Sequence, residues 1–218
     1  ACTGYIYALQ VARANIATGF AKKVLVLASD TTSKFVDWKD RTTCVLFGDG
    51  ASATLLEASD DENDDIITVE LGADGDKKEF ISIDLQREIC PLAENDGTNG
   101  DNHLKMSGKE VYKYVMQAVP TLIDKTLEKA GMTWDDIDYF IPHQANLRMI
   151  EALCGRMEIP EGKTLTNIEE YGNMSAASIP CVISEKVAKG ILKKPSTLLI
   201  CAFGAGMTSG AAIIKLRN

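Results

Sequence analysis

The sequence contains no apolar run of the roughly 18 to 20 residues that a membrane-spanning helix needs, and its first residues show no charged leader followed by an apolar stretch. Positive charge is also in deficit, with 23 basic against 31 acidic residues and a formal net charge of -8. That balance argues against a general surface for nucleic acid or anionic membranes. We therefore expect a soluble cytoplasmic protein that meets any acidic partner through a local basic patch.

Close cysteine pairs are missing as well. The six cysteines are scattered, without the CxxC spacing of a zinc site or the density of a disulfide scaffold, so no metal site is predicted. They suit a reducing compartment, where most cysteines are small core residues. Histidine is scarce, with only His103, in the polar stretch DNHLKM, and His143, in IPHQAN. We interpret His103 as a surface or loop residue.

The chain is rich in alternating apolar strands and amphipathic helices, a pattern typical of a layered α/β fold. VLVLAS from Val24 and STLLICAFG from Ser196 predict buried strands, and the segment from Ser107 to Ala130 predicts a long helix. The run TTCVLFGDGASATLLEAS predicts two short strands around a turn at Gly48 to Gly50. Weak patterning from about residue 74 to 105 predicts a long polar loop.

An internal repeat is hidden in this order. Placing Cys2 on Asn173 aligns Gly19 with Gly190 and Lys22-Lys23 with Lys193-Lys194 without a gap. Both copies continue as helix, strand, Gly-x-Gly turn and strand, which favours internal duplication. If the copies are related by a pseudo-twofold axis, Cys2 and Asn173 lie at equivalent helix N-termini and converge on one site.

Three side chains in these segments could perform chemistry. A thiol at a helix N-terminus, such as Cys2, faces unpaired N–H groups and the positive end of the helix dipole, which favour the thiolate nucleophile. His143 follows an apolar strand, and Asn173 precedes a run of small residues. Each also has a structural interpretation: a packed core thiol, a buried structural histidine and a helix N-cap. The turn Gly204-Ala205-Gly206 lacks a P-loop continuation and instead offers a backbone N–H to an oxyanion.

The motifs ACTGY, DRTTCVLFGDGASA, KMSGKEVY, PHQANLR, GNMSAASIP and AFGAGMTSGAA occur together in one order. In that order and approximate spacing the sequence resembles β-ketoacyl-acyl-carrier-protein synthase III, the condensing enzyme that starts bacterial fatty acid synthesis. The resemblance implies a thiolase-like αβαβα layered fold built from two duplicated halves, the first incomplete. Residues 1–106 would be the remainder of the first half, beginning at the nucleophile helix, and residues 107–218 the second half.

The resemblance also implies roles for individual residues. Cys2 matches the acyl-accepting nucleophile, and His143 with Asn173 matches the pair that binds the thioester carbonyl of a malonyl group. Backbone N–H groups of Cys2 and Ala205 would form the oxyanion hole of the acyl-cysteine. Three further groups of residues match the family. Phe203, Gly204 and Gly206 match residues that line the active site, and Arg41, Gly108 and Asn146 match residues that bind coenzyme A. The segment that binds the acyl carrier protein matches Gln144, Ala145, Asn146, Leu147 and Arg148, with Arg156, Lys109 and Lys113 as further cations.

The implied reaction transfers an acyl group from acetyl-CoA, or another short acyl-CoA, to Cys2 and then condenses it with malonyl carried on an acidic acyl carrier protein. Coenzyme A thioesters are substrates, no cofactor is implied, and the working unit would be a homodimer. Family members carry a long segment before the nucleophile that this sequence does not show, so we expect it to be a fragment. Alternatives are a specialised ketide synthase or acyltransferase of the same fold, a Cys-His hydrolase, and a catalytically inactive scaffold.

Overall fold

The computed structural model describes residues 1–60, 64–83 and 102–217. The α-helices are α1 (Gly4–Ala17), α2 (Gly108–Ala130), α3 (Leu147–Arg156), α4 (Ile168–Tyr171) and α5 (Ser178–Ala188). The strands are β1 (Lys23–Thr31), β2 (Asp49–Glu57), β3 (Ile66–Ala73), β4 (Ile81–Ile83), β5 (Leu104–Met106), β6 (Tyr139–Pro142), β7 (Ser196–Gly204) and β8 (Thr208–Leu216). Short 3-10 helices lie at Thr32–Lys34, Gly75–Phe80, Trp134–Asp136 and Ser175–Ala177.

The strands form two principal sheets. β1 and β2 pair antiparallel, and the larger sheet has the order β3-β8-β7-β6, with β6 parallel to β7 and the other neighbours antiparallel. β4 and β5 make a separate antiparallel pair. β3 lies before the boundary predicted between residues 106 and 107, yet it pairs with β8. The larger sheet is therefore assembled from both sides of that boundary.

The first core lies between the two sheets, where α1 and α5 are sandwiched. Leu9 of α1 and Val182 of α5 pack in one buried cluster with Val26 of β1 and with Leu198 and Ile200 of β7. Successive side chains of a strand point to opposite faces, so Leu199, between Leu198 and Ile200 on β7, faces the other side of the sheet. The central helix layer is thus covered by a sheet on each side.

The second core lies on the opposite face of the larger sheet. Val115, Val119 and Ile123 of α2 are fully buried and pack with Leu199 of β7 and Ile213 of β8. Their spacing of four residues places them on one face of the helix, which explains why a long amphipathic pattern folds onto this sheet. Because both of its faces are covered, β7 is almost entirely apolar and buried.

The outer face of the β1–β2 sheet is open. Leu25, Leu27 and Leu55 are 57%, 68% and 57% exposed on it, while the intervening residues face α1 and α5. The described residues therefore form four layers, sheet, helix, sheet and helix. The fifth layer expected for the αβαβα arrangement is not formed by any described residue. The strand alternation nevertheless marks this open face as apolar.

The predicted duplication is visible in the topology. α1, β1 and β2 follow Cys2 in the order in which α5, β7 and β8 follow Asn173, and both strand pairs are antiparallel. Gly19 and Gly190 end the two helices with positive φ angles of 73° and 67°. A left-handed residue after a helix is the ordinary stop that glycine supplies.

Two local predictions are wrong in part. Residues 41–46 form turns and not a strand, and Asp49 and Gly50 belong to β2. The cause is the Asp40 side chain, which accepts hydrogen bonds from Thr42 N, Thr42 Oγ1 and Thr43 Oγ1 at 2.6 to 2.9 Å and so satisfies the backbone locally. The polar stretch after residue 74 contains a 3-10 helix, β4 and β5; its residues 84–101 lie outside the described part.

Candidate active site

A cavity of about 420 Å³ opens where the two repeats meet. Its wall includes Cys2 before α1, His143 after β6 and Asn173 before α5, together with Phe203 and Ala205 near the end of β7. These residues are up to two hundred positions apart in the chain, so only the packing of α1 and α5 between the sheets brings them to one place. The structure thus brings together the three side chains predicted to perform chemistry.

Cys2 lies just before α1 and is partly buried. Burial raises the pKa of its thiol, an effect opposite to the helix-terminus effect expected from the sequence. The Ser175 hydroxyl donates a hydrogen bond to Cys2 Sγ at 3.6 Å and opposes the effect of burial. The thiolate is therefore stabilised by a side chain that the sequence predictions did not include.

The turn after β7 lies against the nucleophile. A Cβ added to Gly204 would lie 2.9 Å from Cys2 Cβ and 3.1 Å from Cys2 N, so only glycine permits this approach. Thr208 Oγ1 donates to Ala205 O at 3.1 Å and lies 2.7 Å from Thr3 Oγ1, which ties the turn to the start of α1. Gly206 shapes the turn with a φ of 135° but does not line the cavity.

The backbone N–H groups of Cys2 and Ala205 remain available at this turn. Neither donates a hydrogen bond to another described residue. Both residues line the cavity, so an oxygen carrying negative charge could accept from the two groups. The contacts of Gly204 and Thr208 hold the two backbone segments together before any substrate binds.

His143 is 1% exposed, and its backbone N–H donates to Cys201 O at 2.7 Å. Its ring meets Phe203 edge to face, with centroids 5.5 Å apart and an interplanar angle of 81°. Burial lowers the pKa of His143 to about 3, because the charged imidazolium would lose its hydration. Its Nδ1 atom has no hydrogen-bond partner among the described residues. The imidazole is therefore neutral at physiological pH and keeps one N–H donor.

We expect the lowered pKa of His143 to make the folded state acid-sensitive. Between an ordinary unfolded pKa near 6.5 and the folded value of about 3, the unfolded chain binds a proton that the folded chain does not. Stability should therefore fall as the pH drops through this window, by about 1.4 kcal/mol per pH unit relative to a His143→Gln variant. Urea unfolding of both proteins from pH 7.5 to 4.5 measures the difference; parallel pH profiles would contradict the assignment.

Asn173 is held by backbone contacts on both sides. Its N–H donates to Leu46 O at 2.8 Å, and its carbonyl accepts from Gly48 N at 2.9 Å. The side-chain Oδ1 accepts from Ser175 N at 2.8 Å. A backbone N–H can only donate, so this contact identifies Oδ1 and places the amide NH₂ at the opposite side of the side-chain terminus. Asn173 therefore offers donors to the cavity, as a carbonyl-binding role requires.

The residues predicted to bind coenzyme A divide into two groups. Gly108 and Asn146 line the cavity, and Asn146 also caps α3 by accepting from Met149 N at 3.0 Å. Arg41 is exposed on the turn at residues 41–46 and is not part of the cavity wall. A nucleotide contact at Arg41 therefore requires a ligand that extends beyond the cavity.

The predicted contact between Gln144 and a carrier protein is wrong for this structure. Gln144 is fully buried; its Nε2 donates to Pro142 O at 2.7 Å and its Oε1 accepts from Asn167 N at 3.1 Å. Its physical role is to join the end of β6 to the segment before α4. Ala145 is partly buried and lines the cavity, while Leu147 and Arg148 begin α3 at the surface.

The other cations predicted for the carrier protein are on the surface. Arg156 lies at the end of α3, and Lys109 and Lys113 lie on the first turns of α2. α2 and α3 pack against each other, and Lys113 pairs with Glu110 at 2.8 Å. His103 is partly buried just before β5 and does not line the cavity. The cations are thus accessible, and carrier binding by them stays a prediction.

Sequence reasoning missed Ser175, Thr3 and Thr208, although all three flank recognised motif residues. The sequence gives no signal that these hydroxyls are functional, because serine and threonine are common beside turns and helix starts. Within the described residues, no three His, Cys, Asp or Glu side chains group as metal ligands. None of the described helices is long and apolar enough to cross a membrane.

Comparison with known proteins agrees with this geometry. The family model described as 3-oxoacyl-[acyl-carrier-protein (ACP)] synthase III matches residues 1–75, and the model of its C-terminal part matches residues 127–216. A curated β-ketoacyl-[acyl-carrier-protein] synthase III of Xanthomonas axonopodis pv. citri is 43% identical over 215 residues, covering 99% of this chain and 65% of the relative. The relative of the same name from Natranaerobius thermophilus is 41% identical and is covered over 66% of its length.

Solved structures give the same result. The crystal structure of β-ketoacyl-[acyl carrier protein] synthase III from Thermus thermophilus superposes with a TM-score of 0.87 at 39% identity, covering 99% of this chain and 65% of that one. The corresponding structure from Aquifex aeolicus has a TM-score of 0.87 at 38% identity, with the same coverage. The chain therefore spans about two thirds of the length of these relatives.

The layered sheets and the cavity between the repeats define a protein of the thiolase-like α/β class, as the resemblance implied. Within that class, the matches over both ends of the chain identify the family. This chain belongs to the 3-oxoacyl-[acyl-carrier-protein] synthase III family.

Proposed function

We propose that this chain carries the catalytic centre of an initiating condensing enzyme of bacterial type II fatty acid synthesis. The observation that supports it most directly is the meeting of Cys2, His143 and Asn173 at one cavity, beside the backbone N–H groups of Cys2 and Ala205, which donate to no other described residue. A nucleophilic thiol with one set of donors can exchange acyl groups. The second set of neutral donors, on His143 and Asn173, allows the site to stabilise an enolate as well.

The first half-reaction is acyl transfer from acetyl-CoA or another short acyl-CoA. The Cys2 thiolate attacks the thioester carbonyl carbon, and the N–H groups of Cys2 and Ala205 hold the oxyanion. The carbon–sulfur bond to coenzyme A then breaks, and the departing thiolate takes up a proton. The result is an acyl-cysteine at the start of α1.

The second half-reaction is a decarboxylative Claisen condensation with malonyl on an acyl carrier protein. Loss of carbon dioxide places negative charge on the thioester oxygen, and the N–H of neutral His143 and the amide of Asn173 donate to it. The carbanion attacks the acyl-cysteine carbonyl, and breaking the carbon–sulfur bond restores the Cys2 thiolate. Neutral donors suit this step because they stabilise the enolate without giving it a proton.

The buried histidine also argues against a Cys-His hydrolase. That mechanism requires His143 to act as a base toward water, and burial lowers its pKa to about 3. A base shifted this far from an ordinary value near 6.5 is roughly three thousandfold less able to hold a proton. The geometry therefore supports His143 as a hydrogen-bond donor.

The partners are parts of the same proposal. An acidic carrier protein would bind the exposed cations of α2 and α3 by charge complementarity. The reaction uses coenzyme A thioesters as substrates and needs no resident cofactor. A homodimer working in the cytoplasm follows from the family resemblance and is proposed with it.

The test is acetylation of Cys2. The chain is incubated with acetyl-CoA, and we expect the mass of one acetyl group on the peptide that contains Cys2, with stoichiometric release of coenzyme A. A Cys2→Ala variant should gain no acetyl group. A folded wild-type chain that leaves Cys2 unmodified would support the scaffold interpretation and count against the enzyme.

A second candidate is a condensing enzyme of a specialised ketide pathway. It is favoured by one neighbour, the priming β-ketosynthase from the R1128 polyketide biosynthetic pathway, with a TM-score of 0.87 at 30% identity and 64% of that chain covered. Competition between acetyl-CoA and longer acyl-CoAs for Cys2 separates the two candidates. Preference for the longer acyl groups would favour the ketide pathway.

A further inference from the structure

The Ser175 side chain lies in direct contact with the nucleophile. The residue begins the short 3-10 helix Ser175–Ala177, is 5% exposed, and lines the cavity beside Cys2. Its Oγ donates to Cys2 Sγ at 3.6 Å, and no other described side chain donates a hydrogen bond to that sulfur. Contact with the reacting atom distinguishes Ser175 from residues that only support the fold.

The backbone of Ser175 is held in an unusual conformation. Its φ angle is 52°, in the left-handed region that few residues other than glycine adopt. Such conformations carry a free-energy cost and cluster at functional sites. Here the Ser175 N–H donates to Asn173 Oδ1 at 2.8 Å, so the same residue orients the Asn173 amide and directs its own hydroxyl toward Cys2.

A thiolate needs such a donor in this position. Burial raises the pKa of the Cys2 thiol, and the carboxylate of Asp30 on β1 acts in the same direction. Among the described residues that line the cavity, the other titratable side chain beside Cys2 is His143 after β6, which is neutral. A hydrogen bond to an ionised acceptor is about twice as strong as one between neutral groups, so the Ser175 hydroxyl binds thiolate in preference to thiol.

We propose that Ser175 is a further catalytic residue, whose hydroxyl stabilises the Cys2 thiolate and whose N–H fixes the Asn173 amide. In the reacting site the Cys2 S–H bond gives its proton to solvent, and the sulfur lone pair then attacks the acyl carbon. Ser175 gives up no proton in this step; it donates a hydrogen bond to the negative sulfur. The catalytic meaning of this assignment rests on the proposed function, but the thiolate itself can be measured without any acyl substrate.

The experiment is the pH dependence of Cys2 alkylation by iodoacetamide, followed by peptide mass spectrometry to separate Cys2 from the other cysteines. Ser175→Gly removes the hydroxyl, and glycine adopts the positive φ without strain, so a change in rate reports the loss of the hydroxyl. We expect about a tenfold lower alkylation rate at pH 7 and a profile moved to higher pH. Ser175→Ala should behave similarly if it folds.

Two further variants control the measurement. Ser178→Ala removes another buried hydroxyl of the same segment, which accepts from Met174 N at 3.0 Å, and should leave the profile unchanged. Asp30→Asn should move the profile to lower pH, opposite to Ser175→Gly. A wild-type profile in folded Ser175→Gly would overturn the proposal. A Ser175-dependent profile in a chain that acetyl-CoA fails to acylate would overturn the proposed function and leave this inference standing.

Discussion

Replacing Asn173 by alanine is expected to lower condensation with malonyl-acyl carrier protein by about 10² to 10³ fold, the usual effect of removing one oxyanion donor. The amide NH₂ is the donor at stake, because the contact from Ser175 N fixes Oδ1 on the other side. In the proposed mechanism, acyl transfer to Cys2 uses the backbone N–H groups of Cys2 and Ala205, so it should fall by about tenfold or less. The two half-reactions should therefore separate in this variant.

The measurement follows each half-reaction alone. Coenzyme A release from acetyl-CoA reports acylation, and carbon dioxide release from malonyl-acyl carrier protein reports decarboxylation. Asn15→Ala serves as a control, because Asn15 lies near the other end of α1, where its amide donates to Val11 O. Normal decarboxylation by Asn173→Ala would rule out the proposed donor role. An equal loss in both half-reactions would indicate a structural collapse of the site.

The second large effect is expected for Gly48→Ala. An added Cβ would lie 2.0 Å from Tyr171 O, a backbone atom that cannot rotate away. The two backbone hydrogen bonds between residues 46–48 and Asn173 must then stretch or break. Overpacking and the lost bonds together should lower the free energy of unfolding by about 3 kcal/mol. Condensation should fall with it, because Asn173 is held in place by its backbone hydrogen bonds to the displaced segment.

Urea unfolding measures the stability change. Gly155→Ala is the matched control, because its added Cβ meets nothing within 4 Å on α3, and it should be neutral or slightly stabilising. A Gly48→Ala variant as stable as the wild type would show that the loop moves without cost. That outcome would also remove the reason for regarding Gly48 as the support of Asn173.

Much of the fold was predictable because the buried face of a helix or strand determines the spacing of its apolar residues in the sequence. The alternation of β7, the amphipathic face of α2 and the paired stops at Gly19 and Gly190 are local patterns that a linear reading detects. The repeat then implied that Cys2 and Asn173 are equivalent in position. The turn at residues 41–46 was harder to predict, because its apolar residues resemble those of a strand. The Asp40 side chain instead accepts hydrogen bonds from Thr42 and Thr43 and stabilises a turn.

The identity of the reactive side chains was likewise readable, since Cys2, His143 and Asn173 lie in recognisable motifs. Their chemical state was not. Whether His143 is neutral, whether Gln144 faces solvent, and which hydroxyl reaches Cys2 depend on neighbours from distant parts of the chain. Hydration and hydrogen-bond partners set these properties, and both are decided when α1 and α5 pack between the two sheets. The motifs therefore identified the reactive groups, and tertiary packing determined their protonation state, their orientation and their hydrogen-bond partners.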